Sequence, residues 1–189
     1  MTASLLLRIV VVLFPLSEAA LSLLRRAGGA AKRHGDDRSI RTLWVTIIAG
    51  VSLGAVASRW RVLPLPGSPA EQTAVALGLM LFGMLFRWTA ILTLGRFFTV
   101  DVAIHERHAL VDHGLYRYLR HPSYTGLLVT FAGLGVFFGD VLSLALVTGP
   151  VSTAILFRIR KEEAALHEAL GPAYADYCGR TKRLVPFVY

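Results

Sequence analysis

Residues 120–126 read Arg120-His121-Pro122-Ser123-Tyr124-Thr125-Gly126, and an apolar stretch from Leu127 to Gly139 follows. The chain turns at Gly139-Asp140, runs apolar again to Phe157, and then reads Arg158-Ile159-Arg160-Lys161-Glu162-Glu163. Two apolar stretches joined with almost no spare chain predict antiparallel neighbours, a helical hairpin over 122–157. At 1.5 Å per residue, about 18 residues rise about 27 Å, one crossing of a bilayer. The hairpin therefore returns the chain to the face it left. It brings Arg120–Tyr124 and Arg158–Glu163 together, although some 40 residues separate them in sequence.

Working outward, the 189 residues are 54% hydrophobic and only 17% charged, and the apolar residues fall in blocks rather than in a stripe of helical period. Five blocks stand out, at 3–24, 42–58, 72–94, 122–139 and 141–157. Blocks two, four and five sit near the lower length limit for a span and need interfacial side chains or local thinning at their ends. The expected fold is an all-α multi-pass integral membrane protein. It has about five transmembrane helices and a cytoplasmic C-terminal amphipathic segment over 161–178, where Leu166, Leu170, Tyr174 and Tyr177 recur at helical spacing. Gly171-Pro172 divides that segment. Two regions are expected, residues 1–94 with three spans and residues 95–189, where polar and aromatic residues become dense. The last residues, Leu184 to Tyr189, are short and apolar and suit a lid folded over the polar face.

Basic residues alternate with the blocks. Sixteen lie on one set of loops and the tail, against Arg59 and Arg61 on the other. The positive-inside rule then places the N-terminus outside and the C-terminus in the cytoplasm. The net charge of +8 is thus a topology signal, and no nucleic-acid partner is expected. The first block is expected to be retained, because it is long for a signal core and Arg25-Arg26 follows it as a stop-transfer pair. The single cysteine, Cys178, excludes a disulfide framework and a Cys-rich metal site, and no metal is expected.

Several residues suit chemistry, and each has an ordinary reading beside it. Pro122 fits the first turn of a helix whose free N–H groups favour an anion. Ser123 reads equally as a helix cap, Tyr124 as an interfacial tyrosine, and His108 and His121 as loop residues. Glu162 and Glu163 read as surface pairs with Arg160 and Lys161. Arg158 either snorkels to the interface or awaits an anionic partner. Glu18 and Arg87 are charges inside apolar blocks, where charge is a functional hypothesis by default. No Ser-His-Asp order, phosphate-binding loop or zinc spacing is present.

In combination, Arg-His-Pro-Ser-Tyr-x-Gly, a hydrophobic hairpin and Glu-Glu resemble the isoprenylcysteine carboxyl methyltransferase (ICMT) family and its phospholipid methyltransferase relatives. The likeness extends through His108-Ala109-Leu110-Val111 and Gly114-Leu115-Tyr116 to Gly171-Pro172-Ala173-Tyr174 and Pro186, about residues 94–189. It implies a membrane enzyme using S-adenosyl-L-methionine, a short prokaryotic-type member in a cytoplasmic membrane. By position it implies that His108, Leu110, Val111, Tyr116, His121, Pro122, Ser123, Tyr124 and Glu162 bind the cofactor. Arg158 would bind the acceptor and, with Glu162, serve catalysis. Asp101 stands where the eukaryotic pattern has glutamine. The implied partners are the bilayer and a lipophilic or prenylated acceptor, with O-methylation of a carboxylate foremost. The rival readings are an NADPH-dependent membrane reductase of the sterol type and a non-catalytic scaffold or transporter.

Overall fold

The computed structural model describes residues 3–24, 31–33, 37–98, 103–105 and 110–186. Among the described residues six α-helices carry the fold: α1 (Ala3–Leu24), α2 (Asp37–Ala57), α3 (Pro69–Leu94), α4 (Pro122–Phe137), α5 (Val141–Leu170) and α6 (Pro172–Arg180). Two short strands, β1 (Ala31–Arg33) and β2 (Ala103–His105), pair antiparallel with Lys32 opposite Ile104, a small departure from the all-helical expectation. α1, α2, α3 and α5 each hold a segment long and apolar enough to cross a membrane. Only 17–33% of the residues in these segments are buried inside the protein, so most of their apolar side chains face outward. Leu85, Leu92 and Val45, for example, are 66–71% exposed. A bilayer is the surrounding that satisfies such surfaces, and the chain is an integral membrane protein.

The turn at Gly139-Asp140 is held by the chain on either side of it. Asp140 is fully buried, and its carboxylate accepts from the N–H groups of Leu142 and Ser143 at 2.9 and 3.2 Å, capping α5. Its other oxygen accepts from Leu63 N–H at 2.7 Å, tying in the Pro-rich connection between α2 and α3. Gly139 has φ +71°, the left-handed conformation that glycine adopts without penalty. α3 starts on a capping box between Ser68 and Glu71, with Pro69 in its first turn.

α3 and α4 cross at very close range. A Cβ on Gly126 would stand 2.6 Å from the Arg87 backbone nitrogen, and one on Gly83 would stand 2.6 Å from the Gly126 carbonyl oxygen. This is the small-residue packing that lets membrane helices approach. Gly126→Val should therefore force the two helices apart and lower stability by about 3 kcal/mol or more, read as a fall in the melting temperature in detergent. α1 packs on α3 and α4, with Phe14 edge-on to Phe131 at 5.6 Å. α2 lies against α5, where Gly50 and Gly54 face Leu146 and Val147.

Two expectations change. α4 is a 16-residue apolar helix, about 24 Å long and shorter than the four candidate spans. The fifth block does not stop at 157. α5 runs unbroken for 30 residues to Leu170, so residues 161–170 continue that helix rather than opening a separate one. Its basic and acidic turn follows the apolar one without a helix-breaking residue until Gly171, where φ is +53° and α6 begins. Of the expected lid, Leu184 is buried in the main core, Val185 is exposed, and residues 187–189 lie outside the described residues.

Candidate active site

The hairpin does bring its two charged clusters to one end of the bundle. His121 precedes α4, Pro122 opens it, and Ser123 and Tyr124 lie in its first turn. From α5, Arg158 Nε donates to the Tyr124 hydroxyl at 2.8 Å, and that hydroxyl donates to Glu162 Oε2 at 3.0 Å. Arg158 and Glu162 are one helical turn apart, so one face of α5 presents both to Tyr124. Arg158 is only 4% exposed, which replaces the snorkelling reading by an inward one. The Ser123 hydroxyl does not cap α4, whose N-cap is His121 with no side-chain bond. Ser123 is buried, and its carbonyl accepts from Arg87 at 3.2 Å.

Glu163 faces another way. It is buried and accepts from Arg120 Nε at 2.9 Å, from Arg183 Nη2 at 2.8 Å, and lies 3.3 Å from His121 Nε2. It is an internal clasp rather than a surface partner of Arg160 or Lys161. Arg120 also donates to the Thr181 and Cys178 carbonyls, and the backbone of residues 118–121 bonds to that of 182–183. The Thr125 hydroxyl donates to the Leu184 carbonyl at 2.7 Å. The C-terminal strap 181–184 is thereby fastened along the start of α4. From α6, Tyr177 donates to the Tyr116 carbonyl at 2.7 Å, which fixes the turn carrying Tyr116.

These groups surround a cavity of about 450 Å³, within the usual range of small-molecule sites. Its polar end is lined by His121, Ser123, Tyr124, Arg158 and Glu162, with Leu110, Val111 and Tyr116 beside them. It then continues between α1, α2 and α4 past Phe14, Ile47 and Phe131 to Phe137 and Phe138. From Ser123 to Phe137 this follows nearly the whole of α4, roughly 20 Å at the helical rise. Pro122 is buried at the helix start and does not line the cavity. His108 and Asp101 lie outside the described residues.

The structure adds lining residues that sequence reasoning did not assign to a site: Glu18, Arg87, Arg120, Tyr174 and Tyr177. Tyr174 is 1% exposed. Among the described residues, its hydroxyl has no hydrogen-bond partner beyond the weakly polar Cys178 thiol. Burial, with a smaller contribution from Glu162, pushes the Tyr116 phenol up, and burial first of all does the same for Tyr174, so both remain protonated donors. In the sequence Arg120 opens the 120–126 run, the tyrosines recur at helical spacing, and Glu18 and Arg87 lie inside apolar blocks.

Fold and site together define a helical membrane protein whose cavity joins a charged mouth to an apolar interior. A profile of the isoprenylcysteine carboxyl methyltransferase (ICMT) family matches residues 76–168, beginning inside α3, upstream of the likeness read at 94–189. A probable protein-S-isoprenylcysteine O-methyltransferase of Oryza sativa subsp. indica is 34% identical over 116 residues, covering 60% of this chain and 61% of that protein. Protein-S-isoprenylcysteine O-methyltransferase B of Arabidopsis thaliana is 36% identical over 114 residues, covering 59% and 58%. The chain thus spans about three-fifths of the length of these plant relatives. The solved structure of the eukaryotic intramembrane Ras methyltransferase ICMT aligns with a TM-score of 0.54 at 24% identity, covering 83% of this chain and 55% of that one, a likeness of fold. The profile and the plant relatives point to the same family, and the solved structure shares the fold. The relatives are eukaryotic, so a prokaryotic-type member is not borne out.

Proposed function

We propose that the chain is an integral membrane methyltransferase of the ICMT family, transferring a methyl group from S-adenosyl-L-methionine to the carboxylate of a lipophilic acceptor of the prenylcysteine type. The observation that carries this reading is the Arg158–Tyr124–Glu162 chain at the point where the cavity changes from polar to apolar. S-adenosyl-L-methionine, when bound, supplies a methyl on a sulfonium cation. The residues present fit that group. Tyr116, Tyr124 and Tyr174 offer aromatic faces to a cation or a base, and the Tyr174 hydroxyl is a buried donor with only the weakly polar Cys178 thiol beside it among the described residues. Glu162, a third exposed, accepts from an ammonium or a ribose hydroxyl.

Leu110, Val111, His121 and Ser123 complete the cofactor end, and His108 and Pro122 belong to the same motif. Arg158 holds the acceptor carboxylate and orients one oxygen toward the methyl. A carboxylate is already a nucleophile, so no general base is required, and the protein acts by alignment and exclusion of water. The apolar reach toward Phe137 takes the lipid chain. Five crossings are proposed, with α4 matched to the bilayer by its flanking residues and by local thinning. The cavity mouth and C-terminus then lie on the cytoplasmic side. Calorimetric titration with S-adenosylhomocysteine should show micromolar binding that weakens about tenfold in Glu162→Gln, the worth of one charge-assisted hydrogen bond. Absence of binding by the folded protein would remove the cofactor from the account.

A further inference from the structure

Besides Arg158, the cavity is lined by Arg120, which Glu163 holds, and by Arg87, which the proposed chemistry does not use. Arg87 of α3 is 8% and Glu18 of α1 is 12% exposed at the side chain, and both line the cavity. Arg87 Nε and Nη2 donate to the two oxygens of Glu18 at 2.6 Å each, a bidentate fork. Nη1 donates to the Ser123 carbonyl, one residue from the Tyr124 that Arg158 holds. A bidentate guanidinium inside an apolar wall is a ready receptor for any carboxylate, and Glu18 occupies it.

We infer that Glu18 is a positioning residue that keeps Arg87 from capturing the acceptor's carboxylate, so that the acid binds only on the Arg158 line. The inference rests on the proposed carboxylate acceptor. Its origin lies in α1, outside residues 76–168 matched by the family profile. Loss of the Glu18 charge leaves Arg87 open beside the productive site. The acid then binds more tightly but in the wrong place, which lowers KM and kcat together and leaves kcat/KM nearly unchanged.

The test compares the affinities of N-acetyl-S-farnesylcysteine and its methyl ester for the wild-type protein, Glu18→Gln and Glu18→Gln/Arg87→Gln. In Glu18→Gln the acid should bind about tenfold more tightly, the gain of one charge-assisted contact, while the ester is unmoved. A merely structural role would lower the melting temperature without changing the acid-to-ester ratio. An unchanged or weakened acid affinity in the folded single variant overturns the inference. The double variant removes both charges and leaves none buried alone. It should return acid affinity to within about twofold of wild type and carries the test if the single variant fails to fold. An acid affinity still tenfold tighter, or tenfold weaker, overturns the inference as well. A wild-type protein that binds neither acid nor ester refutes the acceptor reading and this inference with it. Wild-type binding with an unaltered ratio in Glu18→Gln refutes this inference alone.

Discussion

Arg158→Ala is expected to lower kcat/KM for a carboxylate acceptor by about 100-fold or more, comparable with removing one donor from a charge-stabilising site. The affinity for S-adenosylhomocysteine should stay within about twofold. The asymmetry follows from where Arg158 sits. It is buried, lines the cavity beside its apolar reach, and reaches the cofactor side through the Tyr124 hydroxyl. Alanine removes the group that orients the acceptor and leaves Glu162, Tyr116 and Tyr174 in place. Single-turnover kinetics together with calorimetry separate the two effects. Equal losses of cofactor affinity and acceptor use would contradict the division of roles.

Tyr124→Phe should give the opposite pattern, a loss on both sides. The hydroxyl accepts from Arg158 and donates to Glu162, so it joins the two halves of the site. Phenylalanine keeps the ring and its packing beside His121, whose centroid lies 5.8 Å away. The fold should therefore survive with little change in melting temperature. S-adenosylhomocysteine affinity should fall about tenfold and kcat/KM about 100-fold, as two charge-assisted hydrogen bonds are lost. A silent Tyr124→Phe would show that Arg158 and Glu162 are positioned independently of each other.

The meeting of the two charged clusters was legible because it needs only geometry. Gly139-Asp140 leaves no chain for any connection but an antiparallel one, and the helical rise does the rest. The break at Gly171-Pro172 was legible for a similar local reason. The division of labour between Glu162 and Glu163 was not. Adjacent helical residues point about 100° apart, and which of two glutamates faces the cavity depends on the phase of α5 against α4. That phase is set by distant contacts, including the strap 181–184 that delivers Arg183 to Glu163. The pairing of Glu18 with Arg87 is of the same kind. Both charges stood out inside apolar blocks, but 69 residues separate them, and no local period announces a contact between α1 and α3. The extent of α5 is not legible in polarity, which changes after Phe157, whereas the helix continues until Gly171 ends it.

The most direct measurement is transfer of a labelled methyl group from S-adenosyl-L-methionine to N-acetyl-S-farnesylcysteine by the purified protein in lipid nanodiscs, scored as a base-labile ester in the organic phase. The account predicts ester formation by the wild-type protein and about 100-fold less by Arg158→Ala. A folded wild-type protein that binds both ligands and forms no ester, or whose product is stable to base, would contradict carboxyl methylation.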